Sequence, residues 1–255
     1  MATPVSVVII CCNVEATIQK TIVSAFLLTD DVVVVDSGSN DNTLLIIRAT
    51  NAKLVQMEWV GFGANKNKGN EAAKWDWIVS LDADEVLSNE LVAAIGTINF
   101  EDPHSVYSFH RLNYLGLTPI NYGEWRNDWT VRLFHQQLVR WDDAPVHEEL
   151  IIPPSIQTKK LRGVLHHYTA VNINDYEQKL EKYANLMAER YYAKGKKAPA
   201  YKIYGSPVFS FLRYYILQLG WMDGAAGWQI SKAHAFYTFK KYKKLKELRR
   251  HKKFK

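Results

Sequence analysis

The sequence predicts an α/β fold in which helices flank a mixed, mainly parallel sheet, with a helical extension towards the C-terminus. Two observations carry this prediction. In the first half, short apolar runs rich in β-branched residues alternate with segments of helical periodicity, an order typical of βαβ units. From about residue 172, helical patterns predominate. We therefore expect a sheet domain over residues 1–170 and a helical extension over residues 171–255.

The first strand is expected at VSVVIICC, residues 5–12, because a continuous apolar run is typical of a strand buried on both faces. Three further strands are expected at residues 31–36, 52–58 and 75–85, with helices between them at residues 15–28, 40–50 and 64–74. Ligands of such sheets bind where the parallel strands end. The side chains of Asn13, Asp36, Asp82 and Asp84 should therefore lie along one edge of a crevice.

The second half of the chain begins with three strand patterns that have no helices between them, at residues 105–115, 129–141 and 159–169. Residues 172–195 then have apolar side chains at three- and four-residue spacing, and Gly195 is a typical helix end. Two more helices are expected at residues 207–220 and 225–248.

Charge is distributed unevenly along the 255 residues. The last 16 residues contain ten Lys and Arg and one Glu, a net charge of +9, whereas the preceding 239 residues carry −3. Such a basic segment typically meets anionic lipid or nucleic acid, although a solvated tail is the alternative. Aromatic residues from Phe211 to Tyr237 precede it, and together they favour binding to an anionic membrane surface.

The compartment can be inferred from the cysteines and from the hydropathy pattern. Cys11 and Cys12 are adjacent in the first strand and cannot form a disulfide framework, so a reducing compartment is expected. No secretory signal pattern precedes that strand. The most apolar stretch, residues 207–222, is interrupted by Arg213 and Gln218, so it should not span a bilayer. A cytoplasmic protein that is peripheral on the inner membrane is expected.

Two carboxylates one residue apart, Asp82 and Asp84, end the fourth predicted strand. Buried charges are costly unless they are paired or bind a metal. Carboxylates at this spacing can hold Mg²⁺ or Mn²⁺, whose remaining ligands are water and substrate phosphates. The alternative is that Asp84 and Glu85 cap a helix that begins near Ser88.

The second predicted strand also ends in a carboxylate, Asp36, followed by Ser37 and Gly38. This carboxylate could accept hydrogen bonds from a base or a ribose, and the glycine would let the backbone approach a ligand closely. An ordinary Asx turn explains the pattern equally well. Neither the dinucleotide fingerprint nor the P-loop motif occurs in the sequence.

Four stretches together resemble glycosyltransferase family 2, the nucleotide-sugar-dependent enzymes of GT-A fold: SVVIICCNVEATIQKTIVSA, VVVVDSGSNDNT, GFGANKNKG and WIVSLDADE. Three later features, YGEWRNDWTVRLF, APVHEEL and the Tyr-rich helical region, are similar to a narrower group, the lipopolysaccharide core β-1,4-glucosyltransferases. The resemblance runs from about Val5 to Tyr242. Relatives usually have Thr-Tyr-Asn where this chain has Cys-Cys-Asn at residues 11–13. Cys12 therefore replaces the tyrosine that forms part of the wall of the base-binding pocket in relatives.

The resemblance implies roles for the residues around the donor. Asp36 would bind uracil or ribose with Ser37 beside it, Lys66 would reach a phosphate, and Asp82 would contact the ribose or a metal-bound water. Asp84 would ligate the divalent ion that bridges the diphosphate. The uridine pocket would be lined by Cys12, Asn13 and Glu15. From the sequence alone, Lys66 could equally be a surface lysine.

An inverting transferase also needs a general base for the acceptor hydroxyl, and a carboxylate suits this role. Glu148, Glu149 and Asp128 compete; we favour Glu148, with Asp128 second. The adjacent His147 would be a further metal ligand or would orient the diphosphate. Two tryptophans, Trp125 and Trp129, suit either acceptor stacking or core packing. His166 and His167 are interpreted as a packed pair.

The sequence therefore predicts a metal-dependent, inverting hexosyltransferase. It would move a hexose, with glucose favoured, from a UDP-sugar to a glycolipid such as a lipopolysaccharide inner-core sugar. One alternative is a sugar-nucleotidyltransferase, but CCNVEATIQ after the first strand lacks the glycines of that class. A non-catalytic nucleic-acid-binding protein is the other alternative, and the mildly acidic body argues against it. No nucleic-acid partner is expected.

Overall fold

The computed structural model describes residues 3–142 and 148–251. The chain forms two compact units. The first comprises Met1–Arg111 and Asn127–His167, and the second comprises Leu112–Arg126 and Tyr168–Lys255. The division falls near residue 168, but the second unit also takes in a hairpin from the middle of the chain. The expected independent domains at 1–170 and 171–255 remain a prediction.

The strands are β1 (Ser6–Cys11), β2 (Val32–Asp36), β3 (Lys53–Gln56), β4 (Trp77–Asp82), β5 (Glu85–Leu87), β6 (Ser105–Leu115), β7 (Thr118–Ile120), β8 (Asp128–His135), β9 (Arg140–Trp141), β10 (Leu150–Ile151) and β11 (Gln157–Ala170). The helices are α1 (Ile18–Phe26), α2 (Thr43–Arg48), α3 (Phe62–Glu71), α4 (Asn89–Gly96), α5 (Ile173–Ala193), α6 (Ala200–Phe211) and α7 (Gly224–His251). Short 3₁₀ turns lie at Gly123–Trp125 and Gly220–Asp223, and a π-helical turn lies at Leu212–Leu217.

The first unit contains a mixed sheet with the strand order β3-β2-β1-β4-β8-β6-β11-β5. The pairs β2–β3, β1–β2 and β1–β4 are parallel, as the alternating pattern predicts. From β4 onwards the pairs with a described register, β4–β8, β6–β8 and β5–β11, are antiparallel. The predicted class, a Rossmann-like mixed sheet with flanking helices and a helical C-terminal region, is confirmed. The expectation that the sheet is mainly parallel is wrong, since among the pairs with a described register three are parallel and four, including β6–β7, are antiparallel.

Strand β1 lies between β2 and β4 in the parallel part of the sheet, and its side chains pack on both faces of the sheet. Val7 and Ile9 belong to one apolar cluster, and Val8 and Ile10 belong to the other. This alternation follows from the two-residue period of a strand. The continuous apolar run of β1 is thus explained by burial on both faces.

Helix α3 packs on this sheet through a glycine. A Cβ atom at Gly69 would lie 2.5 Å from a methyl of Val8 and 2.7 Å from a methyl of Val35, closer than van der Waals contact allows. The absence of a side chain therefore brings α3 onto β1 and β2. The buried face of this helix is otherwise polar, since Asn65, Lys66 and Asn70 are all buried.

The second unit has its own core, formed by Leu115, Ile120, Ala170, Tyr176, Ile230 and Ala233. Strand β7 pairs with the end of β6 there. Helix α5 starts at an Asn172 cap, whose side chain accepts a hydrogen bond from the Asp175 amide at 3.0 Å. It ends just before Gly195, which has the left-handed φ of +69°. The predicted start and stop of α5 are confirmed.

The expectation of a helix beginning at residue 207 is wrong. Helix α6 begins at Ala200, directly after Pro199, and Pro207 lies inside it. Proline is typical of a first helical turn, but the turn that precedes Pro207 is helical as well. Within a helix it only removes one backbone donor and strains the preceding turn. Among the described residues, we find no helix with both the length and the apolar character needed to cross a membrane.

Candidate functional site

The loops that follow β1 and β2 are joined by hydrogen bonds. The Asn13 amide donates to the Ser39 hydroxyl at 2.9 Å, and the Asn40 amide donates to the Asn13 side-chain oxygen at 2.8 Å. The Glu15 carboxylate accepts from the Asn42 amide at 2.9 Å. Asn13 adopts a left-handed φ of +53°, which asparagine tolerates better than most residues. Two predicted donor-site residues, Asn13 and Glu15, thus hold these loops together.

Asp36 forms the Asx turn that the sequence left as an alternative. Its carboxylate is fully buried and accepts hydrogen bonds from the amides of Gly38 and Ser39, at 3.0 and 3.1 Å, and from the Ser39 hydroxyl. The next residue, Ser37, accepts a hydrogen bond from the Asn65 side chain at 2.8 Å. Asp36 therefore shapes the turn beneath the expected base position.

The two cysteines at the end of β1 differ in environment. Cys11, the last residue of β1, is buried, whereas Cys12, which follows the strand, is exposed. Burial, reinforced by the nearby Asp36 carboxylate, raises the pKa of the Cys11 thiol far above its ordinary value. Cys11 thus remains a neutral packing residue, whereas Cys12 is accessible to solvent.

Lys66 is a buried cation, so the surface alternative is wrong. Its side chain is 1% exposed. The ammonium group lies 3.1 Å from an oxygen of Asp82 and donates to Glu148 at 2.9 Å. It also lies 4.3 Å from the ring centre of Trp141, a cation–π distance. A lysine held in this way keeps its charge at a fixed position beside the first carboxylate of the DAD motif.

Asp82 has a second cation partner on the neighbouring strand. Arg132 of β8 donates to Asp82 at 2.6 Å and to the fully buried Glu85 at 2.5 Å. Burial by itself would raise the pKa of the Asp82 carboxyl, but the charges of Arg132 and Lys66 outweigh it and hold the pKa well below its usual range. Asp82 is therefore ionised at neutral pH.

The ion-pair network continues beyond Glu85. Arg111 of β6 lies 3.4 Å from the Glu85 carboxylate and donates through Nε to Asp128 at 2.7 Å. The connected charges, in order, are Glu148, Lys66, Asp82, Arg132, Glu85, Arg111 and Asp128. The two favoured candidate bases, Glu148 and Asp128, are thus the ends of one network that contains Asp82 of the DAD motif.

Asp84 does not cap helix α4. The cap is Ser88, whose hydroxyl accepts from the Leu91 amide at 3.2 Å. The antiparallel pairing of β5 with β11 places His167 opposite Glu85, and the imidazole Nε2 lies 3.5 Å from the Asp84 carboxylate. The carboxylate of Asp84 is thereby left for another role, with an imidazole beside it.

A carboxylate and an imidazole are suitable ligands for a divalent ion. Over residues 3–142 and 148–251, no group of three or more metal-ligating side chains comes together. An ion at Asp84 would therefore complete its shell with water and phosphate oxygens, as Mg²⁺ commonly does. His147, the further ligand expected from the sequence, lies outside the described residues.

The family model for glycosyl transferase family 2 matches residues 6–151. This chain belongs to glycosyltransferase family 2. The match covers β1 to β10 and includes Asp36, Lys66, Asp82 and Asp84, so the family expected from the sequence is confirmed. Membership in this family favours a transferase over the nucleotidyltransferase and nucleic-acid-binding alternatives.

Two similar proteins match almost the whole transferase. The lipopolysaccharide core biosynthesis glycosyltransferase LpsC of Rhizobium meliloti is 29% identical, over 92% of this chain and 89% of its own. An uncharacterized glycosyltransferase of Rickettsia typhi is 26% identical, over 96% of this chain and 87% of its own. Both alignments include the C-terminal helices.

A solved structure also matches part of the transferase. The crystal structure of glucosyl-3-phosphoglycerate synthase from Mycobacterium tuberculosis in complex with Mn²⁺, UDP and glucosyl-3-phosphoglycerate is 26% identical, over 43% of this chain and 44% of that chain, with a TM-score of 0.35. An overlap of this size is too small to transfer any feature of that site.

The two tryptophans expected near an acceptor have different surroundings in the transferase. Trp125 packs edge-on against Tyr176, with 5.1 Å between the ring centres, among the core residues of the second unit. Trp129 in β8 is partly exposed, with His110 and the Lys160 ammonium close to its ring. Trp129 thus remains accessible for stacking on a sugar, whereas Trp125 is a packing residue.

Three site residues of the transferase were missed from the sequence: Glu85, Arg132 and His167. Arg132 and His167 occur in alternating strand patterns, where a polar residue usually faces solvent. Here β8 lies between β4 and β6, so Arg132 is buried, and the β5–β11 register brings His167 to Asp84. Pairing and register depend on contacts between distant segments, and the local pattern does not specify them.

Proposed function

We propose that this family 2 transferase moves a hexose from a UDP-sugar to a glycolipid acceptor, with inversion at the anomeric carbon. The observation that carries this proposal is the arrangement at the end of β4. Asp82 lies between two cations, Lys66 and Arg132, while Asp84 beside it does not cap a helix. Fixed positive charge next to a carboxylate that is paired only with an imidazole in the described contacts suits a metal-bound diphosphate.

The donor would bind along the edge formed by the loops after β1, β2 and β4. Cys12 and Asn13, with Glu15 behind them, would form the base pocket, and the turn of Asp36 and Ser37 would support the ribose. Lys66 would stabilise charge on the departing diphosphate, as preorganised cations do in such sites.

Asp84 and His167 would hold a divalent ion, with Asp82 contributing through a bound water and His147 as a further candidate ligand. Such an ion, when bound, neutralises charge on phosphate oxygens. A carboxylate with water ligands suits Mn²⁺ or Mg²⁺.

Glu148 is proposed as the general base. It would take the proton of the acceptor hydroxyl while the acceptor oxygen bonds to the anomeric carbon and the bond from that carbon to the diphosphate oxygen breaks. Glu148 shares Lys66 with Asp82, which supports its position on the donor side. Asp128, at the far end of the ion-pair network, is the second candidate and would otherwise bind the acceptor.

The acceptor is proposed to be a lipopolysaccharide inner-core sugar on a lipid, and glucose is the favoured donor hexose. The similarity to LpsC over 92% of the chain supports this acceptor class. Such an acceptor would place the transferase at the cytoplasmic surface of the inner membrane.

Nucleotide binding tests the proposal directly. Thermal unfolding of the parent and of Asp84→Ala would be recorded with UDP, GDP, CMP and UDP-sugars, each with and without Mn²⁺. A ligand at ~100 times its Kd adds ~2.7 kcal/mol of stability. We expect stabilisation of the parent by UDP with Mn²⁺, and its loss in Asp84→Ala. No stabilisation of the parent by any nucleotide would overturn the proposed donor site.

A further inference from the structure

Helix α6 of the second unit exposes apolar side chains where a helix on a soluble surface would expose polar ones. A surface helix normally buries its apolar face and exposes its polar face. In α6 the buried residues are Ile203 and Ser210. The exposed residues include Tyr201, which is 72% exposed, and Val208, which is 60% exposed.

Five of the seven large apolar side chains that are exposed between Ala200 and Leu217 form one stripe. Tyr201, Tyr204, Val208, Leu212 and Ile216 are spaced three or four residues apart along α6 and the π-helical turn that continues it. Residues at this spacing lie on one face of a helix. All five are exposed, and we call them the outer stripe.

Further large apolar side chains are exposed in the segment that follows the outer stripe. Trp228 of α7 is exposed and packs edge-on against Phe211 and Tyr215, with distances of 5.1 and 5.3 Å between ring centres. Trp221 and Met222, in the following 3₁₀ turn, are also exposed. Contiguous exposed apolar surface of this kind marks an interaction site.

The charge of the surrounding sequence indicates the partner. From Lys194 to Lys246 there are eleven Lys and Arg residues and one acidic residue, Asp223. The Asp223 carboxylate accepts hydrogen bonds from the amides of Asn121 and Tyr122, at 3.2 and 2.8 Å. A basic segment with an apolar stripe and exposed Tyr and Trp matches the interfacial zone of an anionic bilayer.

We propose that the outer stripe inserts into the interface of an anionic membrane, with α6 lying in the membrane plane. The lysines of α7 would be attracted to the anionic lipid head groups. The apolar side chains of the outer stripe would enter the membrane interface. The proposal rests on the proposed function in one respect only: a glycolipid acceptor in the membrane would explain why the protein binds there. Lipid binding itself requires neither donor nor acceptor.

The proposal can be tested by flotation of the full-length protein with vesicles. The vesicles would be phosphatidylcholine alone or an equal mixture of phosphatidylcholine and phosphatidylglycerol. We expect the parent to float with the anionic mixture. The double variant Val208→Asp with Leu212→Asp should lose at least about tenfold in partition coefficient, because two inserted side chains become charged.

The matched control is Leu45→Asp with Leu117→Asp. These two leucines are also exposed and belong to neither α6 nor the π-helical turn, so the control removes two exposed apolar side chains and adds the same charge without changing the outer stripe. We expect it to float nearly as well as the parent. Circular dichroism melting curves would verify that both variants fold, and unchanged stabilisation by UDP with Mn²⁺ would separate a membrane defect from a donor-site defect.

Three results would overturn the proposal. The stripe variant could float like the parent, or the parent could bind neither type of vesicle. The parent could also elute as a dimer that the stripe variant converts to a monomer, in which case a second copy covers the stripe. Failure of UDP to bind would leave all three readouts unchanged, so it would count against the proposed function alone.

Discussion

The first unit and helix α6 of the second unit break opposite rules of protein folding. In the first unit, charged residues are buried: Lys66, Glu85 and Arg132 are each less than 5% exposed. In α6, by contrast, Val208 and Tyr201 are exposed although they are apolar. Both departures cost stability, since buried charges are desolvated and exposed apolar groups stay in water.

The comparison shows where function is to be sought in this chain. Sequences generally agree with their fold at every level except at functional sites. β1 and β2 bury apolar side chains and form the core, as expected. The ion-pair network instead buries charged groups, and the outer stripe exposes apolar ones. The predictions below test whether each departure serves ligand binding or folding.

The largest expected effect is on catalysis, from Glu148→Gln. Removing a general base typically lowers kcat by about 10²- to 10⁴-fold. We expect a loss of that size with little change in KM for the donor, measured as release of UDP in the presence of acceptor. Asp128→Asn should have the smaller effect, mainly on KM for the acceptor. If Asp128→Asn instead causes the larger loss of kcat, the assignment of the base is reversed.

The second prediction concerns the stability contributed by Arg132. Arg132→Met keeps a side chain of similar length but leaves Asp82 and the buried Glu85 without their shared partner. Breaking a buried ion pair from one side typically costs about 3–5 kcal/mol. We expect a loss of that order in urea denaturation.

The double variant Arg132→Met with Glu85→Gln provides the control for this second prediction. It removes one of the uncompensated charges, so it should recover part of the loss. A double variant that is no more stable than Arg132→Met would show that the charges of Arg132 and Glu85 are not coupled.

Much of the fold could be predicted from the sequence, because the apolar runs of β1, β2 and β4 indicate by themselves that these strands are buried. The carboxylates at the strand ends could be predicted because they directly follow those apolar runs, and the family was predicted from the resemblance of four stretches of sequence. The partners of those carboxylates could not. Arg132 faces Asp82 only because β8 pairs with β4, and that pairing joins segments about fifty residues apart. The start of α6 was missed because Pro207 is typical of a first turn yet lies mid-helix.

A third prediction concerns acid stability. The pKa of Asp82 is held below its usual range in the folded state, so the unfolded chain binds a proton more readily. This contribution to stability is complete above the ordinary carboxyl pKa of ~3.9 and is lost as the pH falls through the folded-state pKa. We expect the free energy of unfolding to fall more steeply below about pH 4 in the parent than in Asp82→Asn. Equal slopes in urea denaturation across that range would contradict this account of the Asp82 environment.

The smallest expected effect is the most informative about α6. Ile203→Ala and Val208→Ala make the same kind of truncation on opposite faces of one helix, at 3% and 60% exposure. Ile203→Ala should cost about 2–5 kcal/mol, because it leaves a cavity. Val208→Ala should change the free energy of unfolding by less than about 0.5 kcal/mol, as exposed substitutions usually do. A large loss in Val208→Ala would mean that the outer stripe serves folding, and the contrast between the two regions would then disappear. A neutral result leaves the stripe without a role in folding, and a partner is then needed to explain why apolar residues occupy it.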